Sequence, residues 1–86
     1  MTTGAGTLPR LVIFSRSGCC LCDDARRVLQ RVQSEHPFVL EERDIETDDA
    51  LLKAYFERIP VVELDGEHLS DHFVDERALR ERLQSR

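Results

Sequence analysis

All three cysteines of this 86-residue chain fall within the four positions Cys19–Cys22, and that clustering limits how the chain can hold itself together. A disulfide among them would close only a very short loop, so no covalent staple joins distant segments and a secreted disulfide scaffold is excluded. The fold must rest on packing, in a domain small enough that a single modest core is expected. Hydrophobic residues make up 41 % and charged residues 34 % of the chain, a balance that suits a globular domain and is too apolar for a disordered one. A cysteine cluster in a reducing compartment reads as redox chemistry or as metal binding.

What flanks the cluster decides its setting. Leu11-Val12-Ile13-Phe14 is an unbroken apolar run ending at a Ser/Gly turn, the pattern of a central strand buried on both faces. Beyond the cysteines, Leu21, Ala25, Val28, Leu29 and Val32 recur at steps of three and four, which predicts an amphipathic helix that ends near His36-Pro37. Phe38 to Arg43 reads as a second strand. Thr47 or Asp48 is placed to cap a short helix carrying Leu51, Leu52, Tyr55 and Phe56 and closing near Glu57. Pro60 to Leu64 follows as a strand, and Asp65-Gly66 is a two-residue hairpin signal leading into Glu67 to Ser70. Asp75 is placed to cap a last helix with Ala78, Leu79 and Leu83 inward and Arg77, Arg80, Glu81 and Arg82 outward. Tyr55 and Phe73 fall at apolar positions and are assigned to the core, His36 and His68 to the surface. Residues 1–9 read as a flexible N-terminus and residues 10–86 as one domain. The order β-α-β-α-β-β-α predicts an α/β domain whose four-stranded mixed sheet is flanked by three helices, with a parallel first crossover and a closing hairpin.

The cysteines then stand where a buried strand meets a helix N-terminus. Unpaired first-turn N–H groups and the helix dipole favour a thiolate at Cys19, the attacking nucleophile. Cys22, three residues on, lies within reach as the resolving cysteine and is expected to be the less exposed of the two. Arg16 and Arg58 would favour the thiolate, whereas Asp23 and Asp24 would oppose it. A closed zinc site wants four ligands, so three thiols would need His36, His68 or His72 as the fourth, with His72 the best placed; no metal ligand is assigned. Cys20 has no evident partner, since a vicinal bond to Cys19 would be strained.

Charge and hydropathy narrow the partners. The net charge is −5, with twelve Lys and Arg dispersed among seventeen acids, so no basic surface marks a nucleic-acid binder. No apolar stretch approaches the roughly 18 residues of a membrane span, and the first nine residues lack the pattern of a signal peptide. A cytoplasmic monomer is expected.

Two separated motifs carry a family resemblance that extends from Arg10 to Leu83. Ser15-Arg16-Ser17-Gly18-Cys19-Cys20-Leu21-Cys22 resembles the Ser-Lys-Pro-Gly-Cys-Pro-Tyr-Cys of glutaredoxins, and Arg58-Ile59-Pro60-Val61-Val62 resembles their cis-proline segment. The resemblance, to the glutaredoxin-like branch of the thioredoxin superfamily, implies a thioredoxin-like fold and a thiol-disulfide oxidoreductase acting on protein or small-thiol disulfides through Cys19 and Cys22. It implies a cis Ile59–Pro60 bond beside the cysteines, with the Ile59 backbone free to pair with substrate. Arg16, Leu21, Ser70 and Asp71 would join Ile59 and Pro60 in contacting substrate. No cofactor is implied, and glutathione is a candidate reductant. The chain departs from the pattern at Cys20 and Leu21, and at Ser70 to Asp75 in place of the Gly-Gly and acids that hold glutathione, which weakens the case for glutathione as the bound thiol. The alternatives are a metal- or iron-sulfur-binding thioredoxin-like module and a non-catalytic interaction domain.

Overall fold

Arg10–Ser15 forms strand β1, an inner strand of a four-stranded sheet. The computed structural model describes residues 8–84. Because alternate side chains of a strand point to opposite faces, Leu11 and Ile13 enter one core while Phe14 enters another. The first core joins Leu11 and Ile13 to Ala25, Leu29, Val32, Phe38, Val62, Leu64 and Leu79. The second is smaller and joins Phe14 to Ile45 and Val61, with Leu51, Leu52, Tyr55 and Ile59 packed against it. The single core expected from chain length is thus two, one on each face, which is what a strand apolar on both sides requires.

The remaining elements are α1 (Cys20–Glu35), β2 (Val39–Asp44), a turn of 3-10 helix (Ile45–Thr47), α2 (Asp49–Tyr55), β3 (Val61–Leu64), β4 (Glu67–Asp71) and α3 (Glu76–Gln84). The strand order is β2-β1-β3-β4, with β1 parallel to β2 and antiparallel to β3, and β3 antiparallel to β4. This is the α/β, thioredoxin-like arrangement expected: a mixed sheet with α1 and α3 over one face and α2 over the other. Asp65 and Gly66 turn the hairpin with φ of 51° and 85°, the paired left-handed geometry that a two-residue turn of this hand needs. The β3–β4 register shifts between Val62 and Glu63, which pair with Ser70 and His68.

Three large apolar side chains lie outside both cores, among them Phe73, which was expected in the core. The buried stripe of α1 is Cys22, Ala25, Leu29 and Val32, and Leu21, one residue before that stripe, is 54 % exposed. On α2, Leu51, Leu52 and Tyr55 are half-buried, but Phe56 falls beyond the last turn and is 55 % exposed. Phe73 lies in the β4–α3 loop and is 60 % exposed, so it packs in neither core. Asp48 caps α2 through the amides of Ala50 and Leu51, and Asp75 accepts from the Ala78 amide at the start of α3. Leu79 is fully buried, and Arg80, expected in water, reaches both Glu35 and Glu76 and so ties α3 to α1. Of the N-terminal stretch, residues 1–7 lie outside the described residues, while the buried Pro9 accepts a hydrogen bond from the Val39 amide.

Topology gathers several segments at one end of the sheet. β1 and β2 run parallel, so both finish there, and the pairing of Phe14 with Val61 starts β3 at the same end. β4, antiparallel to β3, also ends there, with Asp71 opposite Val61.

Candidate active site

Cys19 is the N-cap of α1, in extended conformation with φ −90° and ψ 110°. The turn leading to it needs a left-handed residue, and Gly18 supplies φ +77°. In that position the Cys22 amide donates to Cys19 Sγ at 3.2 Å, the role an N-cap oxygen plays in other helices. The Cys22 thiol donates to the same sulfur at 2.6 Å. Cys19 is half-buried, Cys20 exposed and Cys22 buried, the ranking expected for attacking and resolving positions. Burial pushes the Cys22 thiol up to about 12, reinforced by its hydrogen bond to Cys19 and partly offset by the Arg16 backbone and the Arg26 charge. Cys22 is therefore held as the neutral thiol.

The Ile59–Pro60 bond is cis, as the resemblance implied, with Pro60 buried at the same end of the sheet, but the Ile59 amide, expected to be free for substrate, donates to the Tyr55 carbonyl at 3.2 Å. Its loop is clamped from two sides. Arg58 donates through Nε and Nη2 to the two oxygens of Asp71, each at 3.1 Å, and the His72 amide donates to the Arg58 carbonyl at 2.9 Å. Arg58 also lies over the Tyr55 ring, 5.1 Å from its centroid, and that ring packs against Phe14. His68 Nε2 sits 2.7 Å from the same Asp71, and the Arg58 and His68 bonds together hold the Asp71 carboxyl below its usual range. Tyr55 donates to Glu63 at 3.3 Å; burial, with Glu63 alongside, raises its hydroxyl.

A second network anchors α1 to the sheet. Ser15 is buried at the end of β1, and its hydroxyl donates to Glu42 at 2.6 Å. Arg26 of α1 donates to both oxygens of Glu42, at 2.8 and 3.0 Å through Nε, and also pairs with Asp23. The Glu42 carboxyl is held low by Arg26 first and by Ser15 as well, against the cost of its own partial burial. Neither network was anticipated: Ser15 and Glu42 stand 27 positions apart, and only the β1–β2 pairing brings them together.

The positions expected to contact substrate divide into groups. Arg16, Ile59, Pro60 and Asp71 gather with Cys19 and Cys22 at one end of the sheet. Arg16 lies 3.6 Å from Glu46, and Asp71 is engaged by Arg58 and His68. Leu21 is open to solvent beside the cysteines. Ser70 is buried opposite Val62, and its hydroxyl has no hydrogen-bond partner among the described residues. Arg58, expected to act on the thiolate, is committed to Asp71. His72 is exposed in the β4–α3 loop, and among the described residues no group of three or more His, Cys, Asp and Glu side chains is arranged to hold a metal ion.

Comparison with known proteins agrees with this geometry. Residues 10–84 match the model of the glutaredoxin-like domain (DUF836). Among solved structures, the chain is similar to a Nitrosomonas europaea protein determined by solution NMR, with 27 % identity, a TM-score of 0.79, and coverage of 87 % of this chain and 91 % of that one. It is similar to a structural-genomics target protein from X. campestris, with 31 % identity, a TM-score of 0.71, and coverage of 88 % and 97 %. It also resembles a mutant thioredoxin from Halobacterium salinarum, with 26 % identity, a TM-score of 0.63, and coverage of 90 % and 73 %.

Proposed function

Since this chain belongs to the glutaredoxin-like domain family, we propose that it is a thiol-disulfide oxidoreductase in which Cys19 attacks and Cys22 resolves. The observation that carries the reading is the Cys19 sulfur at the helix N-cap, accepting from the Cys22 amide with Cys22 Sγ 2.6 Å away. An amide aimed at sulfur and a helix N-terminus both support negative charge there.

The cycle follows from that arrangement. The Cys19 thiolate attacks one sulfur of a substrate disulfide, forming a mixed disulfide, and the first substrate thiolate departs and takes up a proton. Cys22 loses its proton and attacks Cys19 Sγ, which forms the Cys19–Cys22 disulfide and releases the second substrate thiol. The substrate has gained two electrons and the protein has lost them; an external thiol or dithiol, glutathione among the candidates, returns them. Neutral Cys22 suits this order, because a resolving thiolate exposed from the outset would compete for the incoming disulfide. The cis-proline loop is held by Arg58 and Asp71, and because the Ile59 amide donates to the Tyr55 carbonyl, it is the Ile59 carbonyl that is left to pair with an extended substrate segment.

The substrate is the disulfide of a protein or of a small thiol, and the chain works as a monomer without cofactor in the cytoplasm, where reducing thiols return its disulfide to the dithiol. No helix among the described residues is long and apolar enough to cross a membrane. The test is single-turnover oxidation of the reduced chain by a disulfide substrate. Cys19→Ser is expected to abolish the reaction, and Cys22→Ser to stop it at a mixed disulfide on Cys19. Full turnover by Cys19→Ser would overturn the assignment.

A further inference from the structure

Beside the cysteines, a groove of about 180 Å³ runs between the first turns of α1 and the β4–α3 loop, lined by Leu21, Asp24, Ala25, Val28, His72, Phe73 and Val74. Its walls are almost wholly apolar, and two of them, Leu21 and Phe73, are large side chains left more than half exposed. Exposed apolar groups scattered singly need no account, but two lining one groove at the end of α1 that carries the cysteines are a different case. A space of about 150 Å³ lined by aliphatic and aromatic groups accepts a benzene ring, so this groove has room for one large apolar side chain.

The charges nearby favour one kind of occupant. The guanidiniums closest in the chain to the two motifs are already engaged: Arg16 with Glu46, Arg26 with Glu42 and Asp23, Arg27 with Asp24, and Arg58 with Asp71. Asp23 and Asp24, paired with Arg26 and Arg27, stand exposed near the start of α1, and the chain as a whole carries −5. Glutathione brings two carboxylates and a net negative charge, and drawing any of these arginines to them would break an existing pair. A polypeptide segment with an apolar side chain fills the groove without bringing carboxylates to it, and a basic neighbour suits the net charge of −5.

Building on the oxidoreductase reading, we infer that the substrate is a protein disulfide whose cysteine is flanked by a large apolar residue and a basic one, the apolar side chain seating between Leu21 and Phe73. Docking there sets the flanked sulfur in front of Cys19. The electrons follow the same course as before, from the two thiols of the chain to the two sulfurs of the substrate, and Phe73 and Leu21 act on which disulfide is held rather than on the exchange itself.

The test uses the pre-reduced full chain and three mixed disulfides of 2-mercaptoethanol in single turnover, with formation of the Cys19–Cys22 disulfide followed by acid quench and mass spectrometry. One probe is a peptide cysteine flanked by Leu and Lys, one a peptide cysteine flanked by Gly and Asp, and one glutathione. The Leu/Lys peptide is expected to react roughly tenfold or more faster than the other two, the effect of seating one apolar side chain. In Phe73→Ser and Leu21→Ser that ratio falls toward one; both side chains are exposed, so the fold survives the changes. Equal rates for all three probes, a faster reaction with glutathione, or a ratio unmoved by either substitution would overturn the inference while leaving the oxidoreductase reading intact. If no probe yields the Cys19–Cys22 disulfide, the oxidoreductase reading itself falls.

Discussion

Alkylation of the reduced chain separates the two working cysteines. Burial, reinforced by the hydrogen bond to Cys19, moves Cys22 from an ordinary thiol value of 9.0 up to about 12. Iodoacetamide reacts with thiolate, and at about pH 8 an ordinary thiol is about one-tenth ionised whereas Cys22 is ionised to about one part in ten thousand, a deficit of roughly a thousandfold. Cys22 is also 0 % exposed, so the reagent must wait for α1 to open locally. The two effects act in the same direction, and labelling of Cys22 in the folded chain is expected to run at least about a thousandfold slower than in the same chain unfolded in urea. The assay is a short pulse of light reagent on the native protein, then heavy reagent after denaturation, with each site read by tandem mass spectrometry. Cys20, which is exposed, serves as the native-state control and takes the light label. Native Cys22 labelling within about tenfold of its unfolded rate would refute the argument from burial and hydrogen bonding.

Three further outcomes follow from the same contacts. Because the folded state holds Cys22 as the neutral thiol, the associated stability is fully present below about pH 9 and is lost as pH rises toward about 12; denaturation midpoints should fall across that window, and Cys22→Ala should flatten the fall. Glu42→Leu removes the acceptor of the buried Ser15 hydroxyl and the partner of Arg26, and urea unfolding should show a loss of about 1–3 kcal/mol, the cost of a stranded buried donor. Asp71→Ala should lower the unfolding free energy by less than about 1 kcal/mol, since the Arg58 pair is partly solvated, yet slow single-turnover exchange by loosening the cis-proline loop; unchanged exchange would remove Asp71 from that positioning role.

The elements of this fold are written in local patterns, and so they were legible. The run from Leu11 to Phe14 gave a strand apolar on both faces, and Asp65-Gly66 gave a hairpin, because each signal is complete within a few residues. Asp48 as a cap was legible for the same reason. The phase of α1 was harder: Leu21 and Cys22 are neighbours, both apolar, and only the packing of Ala25, Leu29 and Val32 decides that Cys22 turns inward. Phe56 and Phe73 show the limit of assigning apolar residues to a core by type, since each falls just outside a regular element. Ile45 shows the converse, being fully buried on a 3-10 turn that carries no periodic signal.

The site divides along the same line. Cys19 at a helix N-cap with Cys22 behind it follows from a strand, a turn and a helix in succession. The Ser15–Glu42–Arg26 and Arg58–Asp71–His68 networks join residues from separate strands and helices, and nothing in the sequence pairs them before the sheet order is known. The groove lined by Leu21 and Phe73 was hidden for a related reason: it exists only where the start of α1 meets the β4–α3 loop.

The central claim, that Cys19 and Cys22 form one exchange unit, is tested most directly by equilibrating the purified chain against glutathione buffers of graded potential and mapping every disulfide by mass spectrometry. The account predicts that a Cys19–Cys22 disulfide replaces the dithiol in a single two-electron transition, while Cys20 stays outside the pair. Accumulation of Cys19 as a stable mixed disulfide or bonded to Cys20, with no Cys19–Cys22 bond at any potential, would contradict it.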